Sequence, residues 1–146
     1  MLEMRPGQPD DQTLISTMMR QMYSSLEMIY TPGVEAAVAK ILADPALGRI
    51  WLLKHAGQVI GYATLSRWFS TELEGWTAYL DELWIEPQWR GKGLGSQVIA
   101  KLIAQCRADG LRTLRLELED WNEGAERLYQ RQGFKTEPRK LMTKWL

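Results

Sequence analysis

At 146 residues the chain suits one compact domain, residues 1–146, long enough to bury a full core. Its 18 Lys and Arg balance 18 Asp and Glu, so no overall field points to nucleic acid or an anionic membrane surface. A single cysteine, Cys106, excludes an intrachain disulfide, and with one histidine it leaves too few soft ligands for a common zinc site, so no metal is expected.

The opening stretch, MLEMRPGQPDDQ, has no apolar run, so no signal peptide is expected, and no segment approaches the ~20 apolar residues that span a bilayer. The cytoplasm is the expected compartment. Leu2–Arg5 reads as a short strand, and Pro9-Asp10-Asp11 starts a Met-rich helix running to about Tyr23. Thr31-Pro32-Gly33 breaks the chain before a second helix, Val34–Leu42, whose apolar residues recur at helical spacing. Arg49–Lys54 and Gln58–Arg67 are apolar, strand-like runs joined at His55-Ala56-Gly57, a hairpin signal that leaves His55 on the surface. A polar loop, Ser70–Gly75, leads into a strand at Thr77–Glu86 that Pro87 closes. Trp68, Glu72, Glu74 and Trp76 flank this loop, and such aromatic faces and carboxylates would suit a cationic amine.

A long helix, Leu94–Asp109, carries Leu94, Val98, Ile99, Leu102, Ile103 and Cys106 on one stripe, and Gly110 stops it. Cys106 on that stripe reads as a small core residue rather than a nucleophile. Thr113–Glu119 alternates strictly, with Leu114, Leu116 and Leu118 opposing Arg115, Glu117 and Glu119. Asn122–Gln132 is a short helix ended by Gly133-Phe134, and Arg139–Leu146 is a candidate final strand. The order of elements predicts an α/β domain with a mixed sheet.

The sequence Arg90-Gly91-Lys92-Gly93-Leu94-Gly95 lies directly between a strand and an amphipathic helix. Three glycines leave the backbone bare and free to turn consecutive N–H groups into one concavity, where the helix dipole also favours an anion. Arg90 and Lys92 add positive charge, so the turn is predicted to hold a pyrophosphate. A Walker loop is excluded because no Gly-Lys-Ser/Thr follows at the required spacing. Counting from Gly91 or from Gly93, a dinucleotide fingerprint would need its third glycine where the chain has Ser96 or Val98.

Three linked segments resemble the GNAT superfamily of N-acetyltransferases. Arg90, Gly93 and Gly95 match its Gln/Arg-x-x-Gly-x-Gly/Ala motif. Asp81-Glu82-Leu83-Trp84-Ile85-Glu86-Pro87 is similar to the strand before that motif, and Asn122, Ala125, Leu128, Tyr129, Gly133 and Phe134 fall at the spacing of a third. The detailed likeness covers about residues 76–134.

The resemblance implies a mixed, mostly antiparallel sheet flanked by helices, in which two central parallel strands splay apart. It implies acetyl-CoA as cosubstrate, with pantetheine along the backbone of Leu83, Trp84 and Ile85. The pyrophosphate would lie on the amides of Gly91, Lys92, Gly93, Leu94, Gly95 and Ser96, and Asn122 would touch the cofactor. Tyr129, two helical turns on from Asn122, is the implied general acid. The base is open between Glu82 and Glu117, acting directly or through water. Asp81 beside Glu82 points the other way in a regular strand, and a bulge would change that. The expected reaction is direct attack by the primary amine of a small molecule. A protein or peptide acceptor, and a non-catalytic acyl-CoA module, are the alternatives. Homodimers are frequent in the family.

Overall fold

The computed structural model describes residues 1–146. In chain order its elements are β1 (Glu3–Pro6), α1 (Gln12–Ser25), α2 (Pro32–Ala43), β2 (Gly48–His55), β3 (Gln58–Ser70), β4 (Gly75–Ile85), α3 (Leu94–Ala108), β5 (Leu114–Leu116) and α4 (Glu123–Arg131). Five strands form one sheet in the order β1-β2-β3-β4-β5. The first three pairings are antiparallel and β4–β5 is parallel. No helix is long and apolar enough to cross a membrane.

The sheet is covered on both faces, so its central strands read as continuous apolar runs rather than alternating ones. In β2, Ile50 and Leu52 pack with α1 and α2, while Trp51 and Leu53 pack with α3 on the other side. The α1 contribution is Ile15, Met18, Met19, Met22 and Tyr23, one helical stripe. The α3 contribution centres on Val98, Ile99 and Leu102, each 0% exposed. Each such side chain contributes roughly 1.5–3 kcal/mol by leaving water. Cys106 joins this cluster, and burial pushes its thiol up to about 11, so it stays protonated and inert.

Helix starts follow local chemistry. The Asp11 carboxylate accepts from the Gln8 N–H at 2.8 Å and from both Arg5 Nη atoms at 2.8 and 2.7 Å, tying β1 to the start of α1. Thr31 caps α2 by accepting from Val34 N, and Pro32 supplies the first-turn φ.

The sequence expectations differ from the structure at two ends. Thr113–Glu119 alternates like a strand, but only Leu114–Leu116 pairs, because β4 and the following chain diverge. Arg139–Leu146 forms no strand, since no segment of this chain runs beside it to supply hydrogen-bond partners.

Candidate active site

The site is built around the point where β4 and β5 part. Pairing runs Ala78–Leu114, Tyr79–Arg115, Leu80–Leu116 and then stops. β4 continues to Ile85 with β3 on one side only. The edge of β4 that faces β5 therefore has no strand partner over Asp81–Ile85, and apart from Ile85 O, which accepts from Arg90 Nε, its backbone groups are open to a ligand.

At the same point β4 carries a bulge. Glu82 pairs with Thr64 and Leu80 pairs with Leu65, so Asp81 is the extra residue. The phase of the strand changes there. Ala78 and Leu80 lie in the α3 core before the bulge, and Leu83 and Ile85 pack against it after the bulge. Glu82 and Trp84 are thereby turned to the α1–α2 face. Without the extra residue, Glu82 would share the face of Leu80 and point into apolar core.

On that face Glu82 accepts from Tyr62 at 2.7 Å and from Tyr23 at 3.0 Å. Burial pushes the Glu82 carboxyl above the ordinary carboxylate range, and the two phenols oppose that shift. The same burial, with Glu82 alongside, pushes Tyr62 and Tyr23 upward, so both remain donors. Tyr30 meets Tyr23 edge-on at 5.6 Å and donates to Glu35 at 2.6 Å. Glu35 also accepts from Ser16 and Gln12, which locks α1 to α2 behind Tyr23.

Asp81, the bulged residue, is largely exposed; partial desolvation and then the nearby Glu117 raise its pKa, while Ser66 opposes the rise. Burial and then Glu117 raise Tyr79, whose ring lies 6.0 Å from that of Trp68. Asp81, Glu82 and Glu117 thus gather around the strand gap with three tyrosines.

The turn before α3 forms the other end of the site. Gly91 and Gly93 adopt φ of 72° and 74°, a left-handed conformation that strains any residue with a Cβ. Gly93 is the N-cap, and no side chain caps the helix. The first amide to bond in this region is Gln97 N–H, to Gly93 O at 3.3 Å. The amides from Gly91 to Ser96 have no hydrogen-bond acceptor in the chain. No acidic residue lies in the first turn to compete for them.

Gly95 is helical rather than left-handed, and a Cβ there would lie 3.6 Å from Leu128 of α4. The Leu94 side chain is buried in the core, which leaves its amide as the group on offer. Arg90 is turned back: its Nε donates to Ile85 O at 2.7 Å and its guanidinium covers Trp84 at 4.3 Å. The Lys92 ammonium lies over Trp89 at 4.8 Å.

Asn122 caps α4, its Oδ1 accepting from Ala125 N–H at 3.2 Å. Tyr129 sits on α4, half-buried against the α3 core and edge-on to Phe134 at 5.6 Å. Burial raises its phenol. Gln132 donates to Ser96 Oγ at 2.7 Å, holding the end of α4 against the first turn of α3.

Several residues flagged in the sequence lie elsewhere. Glu72 pairs with Arg139, and Glu74 with Arg112 at 2.9 Å, so both loop carboxylates already have cations. Trp76 stacks edge-on with Phe69 and under Arg67. His55 is half-buried, edge-on to Trp89 at 5.3 Å, rather than a free surface residue. Spacing did not reveal Tyr23, Tyr62 or Gln132, because their partners lie in distant elements. No cluster of His, Cys, Asp and Glu could hold a metal ion.

The acetyltransferase (GNAT) family profile matches residues 15–134. A thialysine N-epsilon-acetyltransferase from Bos taurus is 33% identical over 103 residues, 70% of this chain and 56% of that protein. An L-methionine sulfoximine/L-methionine sulfone acetyltransferase from Pseudomonas paraeruginosa is 35% identical over 80 residues, 54% of this chain and 45% of that one. The chain spans about half the length of these relatives. An integron cassette protein from a salt-marsh metagenome superposes with a TM-score of 0.85 at 28% identity, covering 98% of this chain and 90% of that one. A Clostridium acetobutylicum chain solved with acetyl-CoA superposes with a TM-score of 0.78 at 15% identity, a likeness of fold alone, over 99% of this chain and 96% of that one. The chain belongs to the acetyltransferase (GNAT) family.

Proposed function

We propose that the chain transfers an acetyl group from acetyl-CoA to the primary amine of a small molecule, by direct attack in a ternary complex. The observation that carries this reading is the run of acceptor-free amides from Gly91 to Ser96, set beside an open strand edge and an acidic gap. Six bare donors at a helix N-terminus match a diphosphate. The open edge over Asp81–Ile85 matches the amides of pantetheine, which need backbone partners. The names of the two matched relatives, a thialysine and a methionine sulfoximine/sulfone acetyltransferase, favour a small acceptor over a protein.

The chemistry divides among named groups. An alkyl ammonium with a pKa near ~10.4 must lose a proton before it attacks. Glu82 is the assigned base: its raised pKa makes it a stronger base than a surface carboxylate, and its two phenol donors fix its orientation. Asp81 and Glu117 attract the incoming cation and can pass the proton through water. Tyr129 is the assigned acid. Burial keeps its phenol protonated, with a proton to give the departing thiolate. Asn122 supports the cofactor side by starting the helix that carries Tyr129.

The test is release of free coenzyme A thiol across a panel of amines, amino acids and peptides. Acetylation of a small amine is expected, with Tyr129→Phe lowering kcat ~100-fold or more while acetyl-CoA affinity holds. Tight acetyl-CoA binding with no product from any acceptor would overturn the catalytic reading.

A further inference from the structure

A recess lies between the last turn of α3 and strands β2, β3 and β4, on the opposite face of the sheet from Glu82. Leu65, Ala78 and Leu111 give it an apolar wall, and Trp51, Arg49 and Arg67 give it polar groups. Its interior is about 20 Å³, room for one polar group with the rest of a ligand toward the mouth. α3 is 15 residues long, about 22 Å, so its length separates the recess from the glycine turn.

Strand register brings the two arginines together. Arg49 pairs with Leu65 on β3, two residues from Arg67. They are thus diagonal neighbours on one face, about 7–8 Å apart at Cα. Arg49 lies over the Trp51 ring at 5.7 Å, and Arg67 over that of Trp76 at 5.1 Å. Neither guanidinium pairs with a carboxylate of the chain. Trp51 Nε1 and Arg67 Nε are both buried without an acceptor. An indole N–H and a guanidinium N–H can only donate, so two unpaired together mark a place for acceptor atoms.

The groups that would oppose an anion are already engaged. Asp109, the acid on the lining, accepts from Gln105 at 2.9 Å. The last carbonyls of α3 are taken too: Gln105 O, Cys106 O and Arg107 O accept from Asp109, Leu111 and Gly110. Two cations against one carboxylate leave the recess one net positive charge. A water could accept from both donors, but it would leave the adjacent guanidinium charges unneutralised, whereas an anion meets both needs. A halide would leave the apolar wall without a partner.

We propose that this recess binds a small aliphatic monocarboxylate. Its oxygens accept from Trp51 Nε1 and Arg67 Nε beside Arg49, and its short alkyl chain lies on Leu65, Ala78 and Leu111. The site is separate from the one assigned to acetyl transfer and does not rest on that reading.

The Trp51 indole and Arg67 Nε–H signals of the nitrogen-15-labelled full chain report on the recess directly. The titrants are sodium propionate and, at matched ionic strength, sodium chloride; Trp51→Phe and Arg67→Lys assign the two signals. Propionate is expected to move both along one saturating curve, with a Kd on the order of 1 mM, while chloride moves neither. Arg49→Gln is expected to weaken propionate at least ~10-fold. Asp109→Asn is expected to tighten it roughly 2–5-fold, because a like charge leaves the lining. A dispersed amide spectrum checks that each variant is folded. Signals that stay still, drift without saturating or respond equally to chloride would overturn the inference. So would a folded Arg49→Gln variant with unaltered affinity, or weaker binding by Asp109→Asn.

Discussion

Tyr62 donates to Glu82 across 2.7 Å, from β3 to the strand beside it, and so stabilises the charged form of the carboxylate assigned as base. Removing that hydroxyl leaves burial less opposed and moves the Glu82 pKa further up. The active, ionised form appears as pH rises through this pKa. Tyr62→Phe is therefore expected to shift the acid limb of kcat/KM to higher pH, with the plateau reached later. A pH profile with the limb unmoved, or moved downward, removes Glu82 from the proton path.

Arg5 and Asp11 make a second testable pair, this one for stability. Asp11 is held below its ordinary pKa, first by the Arg5 hydrogen bonds. A carboxylate with a lowered folded pKa stabilises the fold above its unfolded value, and that stability is lost as pH falls through the folded value. Asp11→Asn is expected to cost about 1 kcal/mol at neutral pH, or ~2–4 °C in Tm for a chain of this size. The difference from the unaltered chain is expected to vanish in acid. Thermal melts across pH decide it.

Gly93 sits at φ 74° with nothing within 4 Å of where a Cβ would stand. Any cost of Gly93→Ala is thus backbone strain, about 1–2 kcal/mol, rather than a clash. If relaxing that strain also turns the amides, acetyl-CoA affinity falls by ~10-fold or more. Chemical denaturation and a binding titration of the same variant separate the two effects.

Much of the architecture could be read from residue patterns, because it depends on local periodicity. The α3 stripe from Leu94 to Cys106 and the β2–β3 hairpin at His55-Ala56-Gly57 are of this kind. So is the glycine turn, where Gly91 and Gly93 do take positive φ. What stayed hidden depends on register and on partners far away in sequence. The bulge at Asp81 exists only in relation to Thr64 and Leu65 on β3, and it decides which way Glu82 faces. Tyr23 and Tyr62 reach Glu82 from 59 and 20 residues away. Glu117–Glu119 alternates like a strand but has no neighbour to pair with, since alternation records two faces and not an available partner. Arg90 looks like a free cation in the motif, yet its guanidinium is folded onto Trp84.

On the proposed function, the amides from Gly91 to Ser96 grip a diphosphate. Calorimetric titration with acetyl-CoA and with acetyl-pantetheine, which lacks the diphosphate, tests it most directly. Acetyl-CoA is expected to bind on the order of 100-fold tighter or more. Equal affinities, or no heat from either ligand with the folded protein, would contradict it.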